Sequence, residues 1–210
     1  MDGLVLYIGD KNLSSWSLRP WILMKHAGIH FRERMIRLDR PETRAELADV
    51  SPSVRVPCLL DDDLTVWDSL SICEYLAEKF PEKGLWPEDR SARATARSVS
   101  AEMHSGFSGM RSLWPMHFVR EGMRHTTHGI EGDIARIVEI WENCRRDFGR
   151  GGPFLFGKFS IADAMFAPVV SRFVTYGPVA LPPAAAAWRE AMWSLPAMKE
   201  WGEGARAEVV

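Results

Sequence analysis

The chain has 210 residues, 46% of them hydrophobic and 26% charged, with a formal net charge of −2. This length makes one large domain or two small ones around an ordinary globular core. The balanced charge, with no basic block, argues against a nucleic-acid partner, and the apolar runs are too short for a membrane span or a signal peptide, so no membrane partner is expected.

Leu4 to Ile8 is a short apolar run that reads as a buried strand. A turn with Ser14, Ser15 and Ser17 follows, and then an amphipathic helix that ends at Gly28. Pro20 lacks an N–H and tolerates only the first turn of a helix, which makes Ser17 the earliest expected N-cap. Ser14 and Ser15 would then stand just before the helix, where orphan N–H groups and the positive end of the dipole can hold an anion. Serines in such a turn also serve simply as caps.

Phe31 to Leu38 reads as a second strand near an edge, and Val56 to Leu60 as a third with Pro57 at its start. Asp61 to Asp63 turns the chain into a returning strand, Leu64 to Trp67. Asp68 and Ser69 are both good caps for the helix that follows, through Phe80. The residues from 81 to 89, with Gly84 and Pro87, read as a linker. Beyond it only helices are expected. Ala92 to Met110 forms one helix and Ile130 to Phe148 another. Ser160 with Asp163 makes a capping-box-like start to a third helix, which Pro168 should kink, and Ala184 to Trp193 is the last clear helix. The tail after Trp201, with Gly202 and Gly204, is expected to be loosely held. The layout is an α/β layer over residues 1–80, a linker over 81–89 and an all-α part over 90–210.

Cys58, Cys73 and Cys144 are far apart and form no Cys-x-x-Cys, metal spacing or disulfide framework. All three read as small buried hydrophobes in a reducing, cytoplasmic setting, with no metal expected. Nine tryptophans and ten methionines suit a deep core and also an accommodating apolar pocket.

Three stretches carry a resemblance. SSWSLRPW at 14–21, VRVPCLLDDDLTVWDSLSICEYL at 54–76 and FSIADAMFAPV at 159–169 occur in the order and register of the cytosolic glutathione transferases. The serine turn, with AEMHSGF at 101–107, is most similar to bacterial serine-type, zeta-like members. The resemblance implies a thioredoxin-like N-terminal domain followed by a C-terminal helical bundle domain, and a homodimer. It implies glutathione as co-substrate, with Ser14, or Ser15 beside it, as the catalytic hydroxyl. Pro57 would be the family's cis proline and present the Val56 backbone to the cysteinyl part of glutathione. Asp68 and Ser69 would receive the γ-glutamyl end, and Arg55 falls near the place of the glycyl carboxylate. Two positions depart from the family. Val54 replaces a common glycine and is β-branched, so the loop there is expected to differ. Trp16 stands where zeta-type proteins carry cysteine.

The second-substrate pocket would lie between the domains, with Trp16 beside the thiol. Met103, His104, Phe107 and Arg111 recur there at helical spacing. Met103 and Phe107 equally read as core, Arg111 as solvated or paired, and His104 as either an acid–base group or a satisfied structural one. The activity implied is thiolate attack on a small hydrophobic electrophile, of the kind used in detoxification. Peroxide reduction and a maleylacetoacetate-type isomerisation would use the same thiolate, and a non-catalytic binding or regulatory protein would keep the same fold. A thioredoxin-type oxidoreductase lacks its cysteine pair here.

Overall fold

The computed structural model describes residues 3–209. Strand β1 (Val5–Ile8) lies inside a four-stranded sheet of order β2-β1-β3-β4. It pairs in parallel with β2 (Arg32–Met35), Val5 opposite Arg32, and antiparallel with β3 (Cys58–Asp61), Leu6 opposite Leu59. β3 turns back as β4 (Leu64–Val66). Leu6 and Ile8 alternate inward with the two-residue period of a strand and are fully buried. β2 is exposed along its whole length, as a polar edge strand should be. It is shorter than its sequence suggests, because only four residues find ladder partners on β1.

Three helices accompany the sheet: α1 (Ser15–Ala27), α2 (Thr43–Val50) and α3 (Ser69–Lys79). After a short 3-10 turn at Pro81–Lys83 the chain is helical. Its elements are α4 (Arg90–Ser105), α5 (Ser108–Leu113), α6 (Glu131–Phe148), α7 (Ile161–Tyr176), α8 (Pro183–Trp193) and α9 (Pro196–Ala207). α7 is the hub. It is apolar on nearly every side, is buried almost throughout, and packs against α1, α4 and α8. Its start is fixed by Asp163, whose carboxylate accepts the Ser160 N–H at 2.9 Å, the Leu155 N–H at 2.9 Å and the Trp188 indole N–H at 2.8 Å. The capping box is therefore present with Asp in the role of Glu. The helix runs on through Pro168 to Tyr176. Most of the tryptophans are core. Trp21, Trp114, Trp141, Trp188 and Trp201 are fully buried, and Trp141 meets Trp188 at 4.4 Å between ring centroids.

Two expectations are corrected. The helix read as continuous from Ala92 to Met110 is broken after Ser105, because Phe107 takes a left-handed backbone with φ 57°. The Arg111 guanidinium then donates to the carbonyls of Met103 and His104, both at 3.2 Å, and satisfies groups that the break sets free. The tail after Trp201 is not loose. α9 continues to Ala207, and its glycines are there for close approach. A Cβ on Gly202 would lie 2.9 Å from the Phe118 ring, and one on Gly204 would lie 2.6 Å from the Lys11 side chain.

Candidate functional site

The turn between β1 and α1 is held from several sides. The Asp10 carbonyl accepts the N–H groups of Leu13 and Ser14, and its buried carboxylate accepts the Leu38 N–H at 2.6 Å and pairs with Arg37 at 2.8 Å. The Asn12 side-chain oxygen accepts the Val119 N–H at 3.1 Å, and its carbonyl accepts the Phe118 N–H at 3.0 Å. The Trp201 indole donates to the Lys11 carbonyl at 2.8 Å. Glu208, just past α9, accepts the N–H groups of Lys11 and Asn12 on its two carboxylate oxygens, at 2.9 and 3.1 Å.

Within this frame the N-cap is Ser14, not Ser17, and Pro20 is the sixth residue of α1. A proline there forfeits the N–H that would reach the Trp16 carbonyl and crowds that carbonyl with its ring, a cost the helix bears in starting a turn earlier. The Ser14 hydroxyl accepts the Ser17 N–H at 3.4 Å and donates to the Ser17 hydroxyl at 2.7 Å, which in turn accepts the Gly9 N–H at 3.1 Å. Ser14 and Ser17 thus tie the helix to the strand. Ser15 is the first helical residue, is buried, and its hydroxyl has no partner among the described residues.

A second helix start lies beside the first, since the His104 ring that meets Trp16 also pairs with Asp68, the cap of α3. Asp68 caps α3 by accepting the Leu70 and Ser71 N–H groups at 3.2 and 3.4 Å. Its other oxygen pairs with His104 of α4. That imidazole is therefore a held group that joins α3 to α4. Ser69 is fully buried, and its hydroxyl also lacks a partner. A groove of about 490 Å³ opens here, lined by Asp68, Ser71, Glu74, Glu78 and His104.

The Val56–Pro57 peptide is cis, as the resemblance implies. The Val56 backbone makes no hydrogen bond among the described residues, and Arg55 is exposed without a partner. Val54 holds φ 53°. The loop keeps the left-handed conformation that glycine takes freely, contrary to the expectation that a β-branched residue would change it.

Trp16 is half-buried and stands among cations. The Arg19 guanidinium lies 4.2 Å from its ring centroid, Arg111 lies at 5.3 Å, and the His104 ring meets it edge-on at 5.3 Å. Met103 is fully buried and Phe107 is 8% exposed, both within the continuous core. The three cysteines are free and buried. Burial pushes the thiols of Cys58 and Cys73 up, and that of Cys144 up to about 12, so they stay protonated at neutral pH. Among the described residues no cluster of His, Cys, Asp or Glu could hold a metal ion, and no helix is long and apolar enough to cross a membrane.

Residues 13–79 match the model of the glutathione S-transferase N-terminal domain, and residues 118–191 match that of the C-terminal domain. A maleylacetoacetate isomerase of Rattus norvegicus is 32% identical over 174 residues, which cover 80% of this chain and 77% of that protein. The chain belongs to the glutathione S-transferase family. A probable maleylacetoacetate isomerase of Caenorhabditis elegans is 30% identical over 109 residues, so that match spans about half of each chain. Among solved structures, a glutathione transferase homologue from Burkholderia with bound glutathione shares the fold, with a TM-score of 0.70, 24% identity and 98% of each chain covered. The sheet and helices around β1 are accordingly the thioredoxin-like domain of a glutathione S-transferase, and the helices around α7 are its C-terminal domain.

Three residues beside the site were not singled out from the sequence: Arg19 against Trp16, Arg172 whose charge is felt at Arg19, and Glu208 on the serine turn. Arg172 had a visible signal, a lone cation inside the apolar helix AMFAPVVSRFV. Arg19 stands three residues after Trp16 on a helix that is otherwise mostly apolar. Glu208 had none, because its partner lies 197 residues away.

Proposed function

We propose that the chain binds glutathione, stabilises its thiol as the thiolate, and directs it at an electrophilic carbon of a small molecule. The observation that carries this reading is the two unpartnered hydroxyls, Ser15 and the fully buried Ser69, at two neighbouring helix N-termini. Ser69, with its own N–H at the start of α3, suits the γ-glutamyl carboxylate, and Asp68 with Glu78 suits its ammonium group. The unpaired Val56 backbone before cis-Pro57 suits main-chain pairing with the cysteinyl unit. Arg55 would reach the glycyl carboxylate.

Ser15, rather than Ser14, donates to the sulfur, because the Ser14 proton is committed to Ser17. A free thiol has a pKa of about 8.5. Each unit by which the site lowers it corresponds to about 1.4 kcal/mol of preference for the anion. One hydroxyl donor and the positive end of α1 together supply on the order of one to two such units. The thiol proton leaves to solvent, the sulfur lone pair forms the new S–C bond, and the displaced pair goes to a leaving group or onto a conjugated acceptor. The Rattus norvegicus relative favours a second reading of the same chemistry. In it the thiolate adds to a conjugated double bond, the bond rotates and the thiolate departs, leaving an isomer. The buried, protonated thiols suit work in a reducing cytoplasm, and the family fold suits a homodimer, which sedimentation velocity at micromolar concentration would test.

The test of the site is calorimetric titration with glutathione together with spectroscopic titration of the bound thiol. Ser69→Ala is expected to weaken binding roughly tenfold. Ser15→Ala should keep binding and raise the bound thiol pKa by about one unit, with a matching loss of turnover. Ser14→Ala should instead lower stability by about 1 kcal/mol, as the loss of an N-cap does. Failure of the folded wild type to bind glutathione would overturn the reading.

A further inference from the structure

The segment that joins α7 to α8 shares a groove of about 570 Å³ with α6. Helix α6 is apolar on more than one face. Ile137, Ile140, Trp141 and Cys144 form the inner stripe and are buried in the core. Ile134, Ala135 and Val138 form a second strip, and this strip is the floor of the groove, with Pro178 and Val179 of the segment completing it. Neither side is covered. Ile134, Val138 and Val179 are half-buried, and Ala135 and Pro178 are exposed. A helix strip that the fold leaves open in this way is a place for a ligand.

The charges around this floor are of one sign. Glu131, Glu139 and Glu142 line the groove, and among the described residues no lysine, arginine or histidine does. Glu142 makes no hydrogen bond or ion pair among the described residues. Its charge is felt at Arg146 one turn on, and that guanidinium is spent on Asp147. Glu139 accepts from Arg136 at 2.8 Å, but Arg136 also binds both carboxylate oxygens of Glu102, so one cation serves two carboxylates. Glu131 accepts the Gly129 N–H at 2.8 Å, backbone N–H groups hold its carboxyl below the usual carboxylate range, and the exposed His128 ring stands 3.9 Å off. The cleft beside the linker, of about 490 Å³, is different. It mixes Lys83, Arg150 and Lys158 with Glu82 and Glu88 and selects neither sign.

We propose that the groove between α6 and the α7–α8 segment is a ligand site for a hydrophobic monocation, an aryl- or alkylammonium whose apolar body lies on Ile134, Ala135 and Val138 and whose charged head meets Glu142 and Glu139. The volume is that of a small-molecule site. Burial of the ligand's carbon surface on the strip supplies attraction that is blind to charge. The carboxylates then raise the local concentration of cations and repel anions. The groove shares no lining residue with the serine turn or with the groove at Asp68, so the ligand is not a substrate of the thiol site, and the proposal stands apart from the glutathione reading.

The experiment compares three ligands of one shape and different charge. 2-Naphthylmethylamine, which is protonated at neutral pH, is titrated calorimetrically beside neutral 2-naphthylmethanol and anionic 2-naphthoate. The proteins are wild type, Glu142→Gln, Ala135→Lys and Glu78→Gln. Ala135 is exposed on a helix and lysine is a good helix former, so that variant keeps the fold while placing a cation on the floor. Wild type should bind the amine about fivefold more tightly than the alcohol, and the naphthoate least, with a preference that shrinks as salt is added. Glu142→Gln should cut the preference to about twofold. Ala135→Lys should abolish amine binding and favour the naphthoate. Glu78→Gln, in the other acidic groove, should leave amine binding as it is. Equal binding of amine and alcohol to wild type overturns the proposal. So does amine binding that Ala135→Lys leaves unchanged or that Glu78→Gln weakens as much as Glu142→Gln does, since either result puts the amine elsewhere. Failure of all three ligands to bind overturns it too, and self-association that Ala135→Lys disperses in sedimentation would then mark the groove as a contact between copies of the chain.

Discussion

At the scale of single residues, Val54 is the clearest conflict between a side chain and its backbone. A left-handed φ of 53° brings a Cβ against the neighbouring carbonyl, at roughly 1–2 kcal/mol, and branching at Cβ adds crowding. Val54 is half-buried at the loop leading to cis-Pro57, so the surrounding chain imposes this conformation. Val54→Gly should relieve the strain but add freedom to the unfolded chain, which offsets part of the gain. The expected net effect is stabilisation by about 0.5 kcal/mol, read as a higher urea midpoint at unchanged slope. A lower midpoint would mean that the valine side chain contributes more through packing than its backbone costs. The sequence flagged this position correctly as a departure. It misjudged the outcome because local preference is weak against the pairing of β3 with β1 just downstream.

At the scale of elements, chain ends and breaks proved harder to read than the elements themselves. The apolar periodicity of α3, α6 and α7 was legible, and so was the cap of each helix whose capping residue also precedes the apolar run, as at Asp68 and Ser160. Pro20 points to a start of α1 three residues later than the one found at Ser14, because the chain accepts the loss of a single helical bond at Trp16. The break between α4 and α5 depends on Phe107 adopting a conformation that nothing in its own side chain favours. α9 was missed because its two glycines argue against a helix, while the contacts that explain them, Phe118 and Lys11, are remote in sequence. Glu208 gives the end of α9 its own consequence. Removing two bonds from a carboxylate to backbone N–H groups should cost about 1–3 kcal/mol. Glu208→Ala should lower the urea midpoint accordingly and weaken glutathione binding, while Glu208→Gln, with one acceptor oxygen left, should recover about half of each. Unchanged binding in a destabilised Glu208→Ala protein would limit the residue to holding α9.

At the scale of the whole molecule, the two domains share their interior. α1 lies against α7 and α3, and the buried residues of both domains form one continuous cluster from Leu6 to Trp201. An interface this apolar opposes independent opening of either half. Tryptophan emission, weighted to the helical domain, and sheet-sensitive circular dichroism should therefore follow one urea transition with coincident midpoints. Separate midpoints would show that the sheet and the bundle come apart. A cluster of three arginines is also a property of this scale. Arg19, Arg111 and Arg172 repel one another although no window of sequence contains them, and the docking of α1 on α7 brings Arg19 to Arg172. The hydroxyls at 14, 15 and 69 were legible because each lies in a contiguous motif. Which of them is free to act depended on the hydrogen bond between Ser14 and Ser17.

The bond from Glu208 to Lys11 also sets a timetable. During synthesis the serine turn emerges early, yet the carboxylate that anchors it follows 197 residues later. At roughly 5–20 residues per second, that interval is on the order of 10–40 s on the ribosome. Throughout it the turn lacks the acceptor for two of its N–H groups, and the indole of Trp201 is likewise still to come. A nascent chain would thus carry the hydroxyls of the proposed thiol-activating site without the frame that aims them, and the proposed activity would begin only once translation has passed α9.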